Sequence, residues 1–379
     1  MYRQIWVHPD HRPLQLILWR DTPNEALTTY QLNTVTYGTT SAPYLAIKCL
    51  NQLAIQNQTN YPIASKTILS DFYVDDLLTG SNDLEELQGR CKDISSILRS
   101  ANFILRKWSA NDVHILKNIP CIDIPNEILT VGDYESCKTL GIQLDNKRDN
   151  LTYKISPIHL TSSITKRQIL SIIAQIYDPL GLLAPVIIIA KIIIQNLWAL
   201  KQSWDENVPP NIFLQWSKFY NQLNELNNLK IPRCSLSDNQ SIIDIHCFCD
   251  ASQQAYASCI YFRSKNSAGN YVSRLVCSKS KVSPLKPLTI PRLELCAALL
   301  GAQLVEQVVK AISIKVPIFY WTDSQIVLCW IRKDPNLLQQ FVANRVSKLQ
   351  NLTNIDEWHY INTKENLQIW HREEFFLKT

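Results

Sequence analysis

From position 243 to 250, Ile243, Ile245, Cys247 and Cys249 alternate with Asp244, His246, Phe248 and Asp250. A two-residue period places the first set on one face of a strand, and that face has to be covered by another layer. The following segments supply the layer. Residues 255–262 and 271–282 read as two more strands. A helix then opens with Pro291 in its first turn and carries the stripe Leu295, Ala298, Leu299, Ala302, Val305, Val309 and Ile312. Residues 316–322 form the next strand, and Ser324 can cap the helix after Asp323. The order is strand, strand, strand, helix, strand, helix, helix, strand, which is an α/β arrangement.

A chain of 379 residues calls for two or three domains. Its 46% hydrophobic and 19% charged residues exclude an intrinsically disordered class. The net charge of +5 permits a polyanionic partner without demanding one. Eleven cysteines follow no framework, and Cys247 and Cys249 are too close in sequence for the usual zinc spacing, so reduced core cysteines are expected. Tyr2-Arg3-Gln4 after Met1 does not open a signal peptide. The greasiest stretch, 182–200, is broken by Pro185, Lys191, Gln195 and Asn196. It reads as a largely buried helix with one polar stripe of Lys191, Gln195 and Trp198, so no membrane partner is expected.

Residues 1 to about 150 read as α+β. Residues 28–37 are β-rich and 68–74 are a strand candidate. Asn82 can cap a helix with Leu84, Leu87, Cys91, Ile94 and Leu98 on one side. Residues 156 to about 235 are helical. Thr165 and Gln168 frame a capping box, Asp178-Pro179-Leu180-Gly181 stops that helix, and another runs over 213–229. The polar stretch 235–241 marks a boundary, and no internal repeat is present.

Two constellations point to chemistry. Tyr73-Val74-Asp75-Asp76, framed by Ile68, Leu69, Phe72, Leu77 and Leu78, suits a hairpin tip that presents adjacent carboxylates. Magnesium prefers such oxygen ligands, and paired ions stabilise both oxygens of a phosphoryl transfer. In the second constellation, Asp250 ends a strand, Glu294 sits in the first turn of a helix and Asp323 ends another strand. Strand ends and helix starts converge at a sheet edge, where such a trio can hold divalent ions. Arg263, Lys265, Arg274, Lys279, Lys281, Lys286 and Arg292 lie nearby in sequence, as phosphate partners or as a solvated face. Trp108 and Trp321 read as core anchors.

Over nearly its whole length the chain resembles the pol polyprotein of BEL/Pao-type LTR retrotransposons. Tyr73-Val74-Asp75-Asp76 is similar to the tyrosine-x-aspartate-aspartate motif of reverse transcriptases. Tyr37-Gly38 with Ser41-Ala42-Pro43 resembles the template- and nucleotide-contacting motif, and Leu105-Arg106-Lys107-Trp108 a segment beyond the palm helix. Thr165 to Gln168, Tyr177 to Gly181, Lys191, Trp204-Asp205-Glu206 and Ile231-Pro232-Arg233 resemble the connecting region. Asp250, Glu294 and Asp323 match three of the four ribonuclease H carboxylates.

The resemblance implies a palm portion of α+β class at 1–150, a helical connecting region at 151–235, and an α/β ribonuclease H-like domain with a mixed five-stranded sheet at 236–370. It implies Mg2+ or Mn2+ in a two-metal arrangement on Asp75, Asp76, Asp250, Glu294 and Asp323. Nucleotide and template contacts are implied for Tyr2, Tyr37, Gly38, Ser41, Pro43 and Tyr73. The implied partners are an RNA template, a DNA primer, RNA–DNA hybrid, deoxynucleotides and other parts of the polyprotein, in the cytoplasm within a virus-like particle or in the nucleus. Two departures limit the activity expected. A further palm aspartate of the family would precede Met1, the only methionine, and Tyr2 matches the aromatic after it. At the other end Leu367-Gln368-Ile369 stands where the family has proline, alanine and aspartate. Polymerase activity is therefore expected to be absent and ribonuclease H activity weak. The alternatives are a non-catalytic nucleic-acid binder and an aspartic-type peptidase. The peptidase lacks the Asp-Thr-Gly or Asp-Ser-Gly loop it needs.

Overall fold

The computed structural model describes residues 1–117, 137–139, 142–155, 163–236, 242–312 and 315–362. The chain divides into two compact units, Met1–Thr139 with Asn146–Arg148, and Leu140–Asp145 with Asp149–Thr379.

The first unit opens with an antiparallel ribbon of β1 (Leu16–Trp19) and β2 (Thr28–Gln31). Helices α1 (Ala42–Gln56) and α2 (Pro62–Asp71) follow, then the short hairpin of β3 (Phe72–Tyr73) and β4 (Asp76–Leu77). Helices α3 (Leu84–Ser100) and α4 (Val113–Lys117) come next, with β5 (Cys137–Thr139) as its last described element. Its core gathers Leu50, Ala54, Ala64, Ile68, Ile94, Ile97 and Leu98. Three local expectations change. Residues 68–71 end α2 rather than open a strand, because Pro62 starts a helix that turns Ile68 into this core. Residues 28–37 give only the four-residue β2 and an isolated bridge at Thr34. Asp83, not Asn82, caps α3, its carboxylate accepting the Glu86 N–H at 2.8 Å.

In the second unit β6 (Ile142–Asp145), β7 (Asn150–Thr152) and β8 (Lys230–Pro232) pair antiparallel around the helices α5 (Lys166–Ala174), α6 (Ala184–Ala199) and α7 (Pro210–Gln222). The capping box at α5 is complete in both directions. The Asp178 tetrapeptide falls after α5 has ended at Ala174, and its main work is to start α6. The Asp178 carboxylate accepts the N–H groups of Leu182 and Leu183 at 2.9 and 2.7 Å. Pro185 then sits in the first turn, where a missing N–H costs nothing. The helix expected over 213–229 runs instead over Pro210–Gln222, and Leu223–Asn228 tightens into a 3-10 turn. These helices share one core centred on Ile169, Ala190, Leu197 and Trp216.

The sheet that follows has β9 (Asp244–Ala251), β10 (Ala255–Lys265), β11 (Tyr271–Val282), β12 (Ile318–Thr322) and β13 (Trp358–Tyr360) in the order β11-β10-β9-β12-β13. The first three strands are antiparallel, and β9, β12 and β13 run parallel. This is the mixed five-stranded sheet that the resemblance implies. Helix α8 (Ile290–Ile312) lies on the face that Ile245, Cys247 and Cys249 present, and α9 (Gln325–Ile331) and α10 (Gln340–Leu352) complete that layer. Each fully buried aliphatic side chain there contributes about 1.5–3 kcal/mol. By length and composition α8 could cross a membrane, yet Leu295, Ala298, Ala302 and Val305 are buried against the sheet. The expected boundary at 235–241 lies partly, and the divergent tail from Leu367 wholly, outside the described residues.

Candidate active site

The parallel register pairs Cys249 with Thr322. Asp250 and Asp323 therefore leave the C-terminal ends of neighbouring strands, whose backbones lie about 4.8 Å apart in a sheet. Local bonds fix both exits. The Asp250 Oδ1 accepts the Ala251 N–H at 2.7 Å. Thr322 Oγ1 accepts the Ser324 N–H at 3.2 Å, and Ser324 caps α9 by accepting the Val327 N–H at 3.3 Å.

Glu294 reaches this edge from α8. It does not lie in the first turn, because Arg292 and Leu293 already donate to the Thr289 carbonyl and the helix begins at Ile290, putting Glu294 in the second. Burial pushes the Glu294 carboxyl above the ordinary range, a hydrogen bond from the Ser324 hydroxyl pulls it part of the way back, and the nearby Asp323 charge adds a smaller upward push. Glu294 and Asp323 are thus brought together, with Asp250 on the adjacent strand end. Crowded carboxylate oxygens of this kind suit a hard divalent cation, which would relieve their repulsion. Among the described residues, however, no three His, Cys, Asp or Glu side chains converge closely enough to hold a metal ion. Ser324 is a partner that sequence reasoning had read only as a helix cap.

The basic residues divide. Arg263 pairs with Asp244 through Nε at 2.8 Å and also through Nη2. Arg274 donates to the Cys234 carbonyl at 2.7 Å, and Arg292 to Gln339 Oε1 at 3.0 Å. Lys265 lies over the Tyr271 ring. Lys279, Lys281 and Lys286 are exposed. Trp321 is half-buried and donates to His246 Nδ1 at 3.0 Å, so it serves as an anchor, and Trp108 packs beside the Leu87, Cys91 and Leu116 cluster.

In the first unit Tyr73 pairs with Asp76, leaving Val74 and Asp75 as a two-residue turn. Val74 has φ +58°, a left-handed conformation that is strained for a β-branched side chain. The turn holds Asp75 and Asp76 exposed at its tip. Phe72 and Leu77 pack on the same cluster as Met1. Tyr2 meets Tyr37 edge-on with ring centroids 5.3 Å apart. Gly38 takes φ +82°, while Ser41 precedes α1 and Pro43 lies in its first turn.

Compared with known families, residues 165–324 match the Pao retrotransposon-like RNaseH-like domain. The match starts at Thr165, so the helices α5 to α7 and the strands β9 to β12 fall within one family model. Among solved structures, the chain is similar to an N-terminal RNase H domain from Mycobacterium tuberculosis, solved as a fusion with maltose-binding protein. The identity is 9% and the TM-score 0.24, covering 36% of this chain and 96% of that one. It is also similar to RNase H1 from the halophilic archaeon Halobacterium salinarum, at 10% identity and TM-score 0.22, covering 33% of this chain and 89% of that one. No curated protein matches. The family match and the mixed sheet make this part of the chain RNase H-like.

Proposed function

We propose that the second unit is a divalent-metal nuclease that cleaves the RNA strand of RNA–DNA hybrids, with Asp250, Glu294 and Asp323 as its metal-holding carboxylates. The observation that carries the reading is the paired exit of Asp250 and Asp323 from parallel strands, with Glu294 charge-coupled to Asp323. A bound Mg2+ or Mn2+ would supply a low-pKa water and neutralise charge on the transferred phosphoryl group. The chain's own part would be to set Asp250 and Asp323 at neighbouring strand ends and to hold Glu294 beside them through the Ser324 hydroxyl.

The test is cleavage of a labelled hybrid by the purified chain. Asp250→Asn, Glu294→Gln and Asp323→Asn should each cost about 100-fold or more, since metal chemistry depends on fixed geometry. Full-rate cleavage by Asp250→Asn would overturn the assignment. One observation favours a second reading, a non-catalytic nucleic-acid binder: the three carboxylates do not close into a cage. Salt-dependent affinity for hybrid without any turnover would select it.

The first unit we read as a reverse-transcriptase palm portion, on the strained hairpin that displays Asp75 and Asp76 and on the Tyr2–Tyr37 contact. Mn2+-dependent binding of a deoxynucleotide, lost in Asp75→Asn with Asp76→Asn, would support it. Binding that survives the double change would end it.

A further inference from the structure

A cleft of about 590 Å³ opens within the second unit, between α6 and α7 on one side and the strands β9, β10 and β11 on the other. Its size lies within the range of small-ligand sites, roughly 300–1,000 Å³, and is far too small for a duplex. One wall is a row of isoleucines on α6, Ile188, Ile189 and Ile192, continued by Phe219 of α7. The amides of Asn196, Gln215, Gln222 and Gln254 stand around that apolar surface. Lys218 and Asp250 are the two charged residues of the lining, the lysine on the helical wall and the carboxylate on the sheet wall.

A purely apolar ligand such as an acyl chain would cut the half-buried Asn196 and Gln222 amides off from water, at a cost of about 1–3 kcal/mol for each one left unpaired. A nucleobase suits the lining better. It is a flat body with two apolar faces and a polar rim of donors and acceptors, and in a nucleotide the attached phosphate sets the negative charge at one end. We propose that the cleft receives a single unpaired nucleotide, base against the isoleucine wall and phosphate toward Lys218, next to the Asp250 end of the carboxylate row. Its bearing on substrate choice rests on the nuclease reading. On that reading the chain favours substrates that can offer an unpaired nucleotide beside the scission point.

The experiment measures anisotropy of a fluorescein-labelled four-nucleotide single-stranded RNA, with AMP as competitor, on the full chain in EDTA. Binding that AMP competes away is expected. Ile189→Trp, which fills the cleft, should weaken it about tenfold or more. Lys218→Glu, an exposed change that does not threaten folding, should weaken it as much and lower the logarithmic salt slope by about one. No AMP-competable binding, or binding unchanged in Lys218→Glu, overturns the proposal; Ile189→Trp counts only if its circular dichroism matches the parent. Nucleotide binding without hybrid cleavage would sink the nuclease reading alone, and cleavage without nucleotide binding would sink this one alone.

Discussion

Gly301 lies where α8 packs directly against the β9 thiols, and adding one methyl group there tests how Glu294 is held. A Cβ at this position would lie 2.6 Å from Cys249 Sγ, 2.8 Å from Cys247 Sγ and 3.2 Å from Ser258 Oγ. Non-bonded heavy atoms settle near 3.5–4.0 Å, so α8 has to lift by roughly 1 Å. Both thiols are fully buried and have little room to swing aside. Three effects compete in Gly301→Ala. Helix propensity favours alanine by about 1 kcal/mol. Overpacking costs about 1–3 kcal/mol. Lifting the helix also stretches the bond from the Ser258 hydroxyl to the Ala297 carbonyl, 2.8 Å long and buried, worth about 0.5–1.5 kcal/mol. The balance predicts a net loss of about 0.5–3.5 kcal/mol in urea unfolding. In a background carrying Cys247→Ala and Cys249→Ala the two shortest contacts disappear, only the one to Ser258 Oγ stays, and the propensity gain remains, giving a coupling of about 1 kcal/mol or more. Glu294 lies about two turns up the same helix, roughly 10 Å away. The folded Gly301→Ala chain should therefore need more Mg2+ for hybrid cleavage. If alanine stabilises the parent chain, or the changes add without coupling, the close approach of α8 to β9 is not what the geometry says it is.

Gly181 combines a φ of +71° with a position where a Cβ would lie 1.9 Å from the Ser278 carbonyl oxygen, so Gly181→Ala should lower stability by about 2 kcal/mol or more; a thermal midpoint equal to the parent's would contradict that. Asp323→Asn should bring the Glu294 carboxyl only part of the way down, because burial is the larger cause of its rise and stays in place. A carbon-13 titration of Glu294 that returns fully to the ordinary value, or does not move, would refute the assignment. Burial lowers His246 below its ordinary value of 6.5, outweighing the Asp244 charge. The unfolded chain then binds that proton more readily, so the His246 contribution to stability is complete above about pH 6.5 and declines as pH falls toward the lowered folded value. His246→Gln should flatten that slope in pH-dependent unfolding, and an unchanged slope would assign the effect elsewhere.

The RNase H-like sheet was largely legible because its signals are local and strong. The 243–250 alternation gives the inner face of β9, and the helical stripe after Pro291 gives the layer that covers it. The register that sets Asp250 beside Asp323 is a pairing between residues far apart in sequence, and only the order of elements hinted at it. Errors arose where two patterns compete over a few residues. Ile68 and Leu69 suit a strand as well as a helix, and the turn begun by Pro62 decided for the helix. The cap was expected at Asn82, and the Glu86 amide bonds its neighbour Asp83 instead. Asp178 to Gly181 reads as a stop from composition, while its carboxylate acts on the amides that come after it. The cleft had no sequence signal, since its walls come from segments separated by dozens of residues.

The seam between the helices and the sheet bears on how the exposed lysines should be read. β11 is the edge of the sheet, and an edge strand presents unpaired backbone groups that invite another chain. Here the α5–α6 loop covers part of it. The Ser278 N–H donates to the Leu180 carbonyl at 2.9 Å, the Ser278 hydroxyl donates to the Gly181 carbonyl, and Gln195 Nε2 donates to the Ser283 carbonyl at 2.6 Å. Lys279 and Lys281 flank that cover on the same strand, and edge lysines discourage strand addition by charge alone. Edge protection is thus one role open to them that needs no phosphate. The two roles separate in one comparison: Lys279→Gln with Lys281→Gln should promote self-association if they guard the edge, and should reduce the salt slope of hybrid binding by about two if they neutralise phosphates. The backbone cover at Ser278 already blunts part of this edge, so less guarding is left for the lysines to do. The larger change is expected in the salt slope, and a slope that stays put while the chain aggregates would remove both lysines from the nucleic-acid surface.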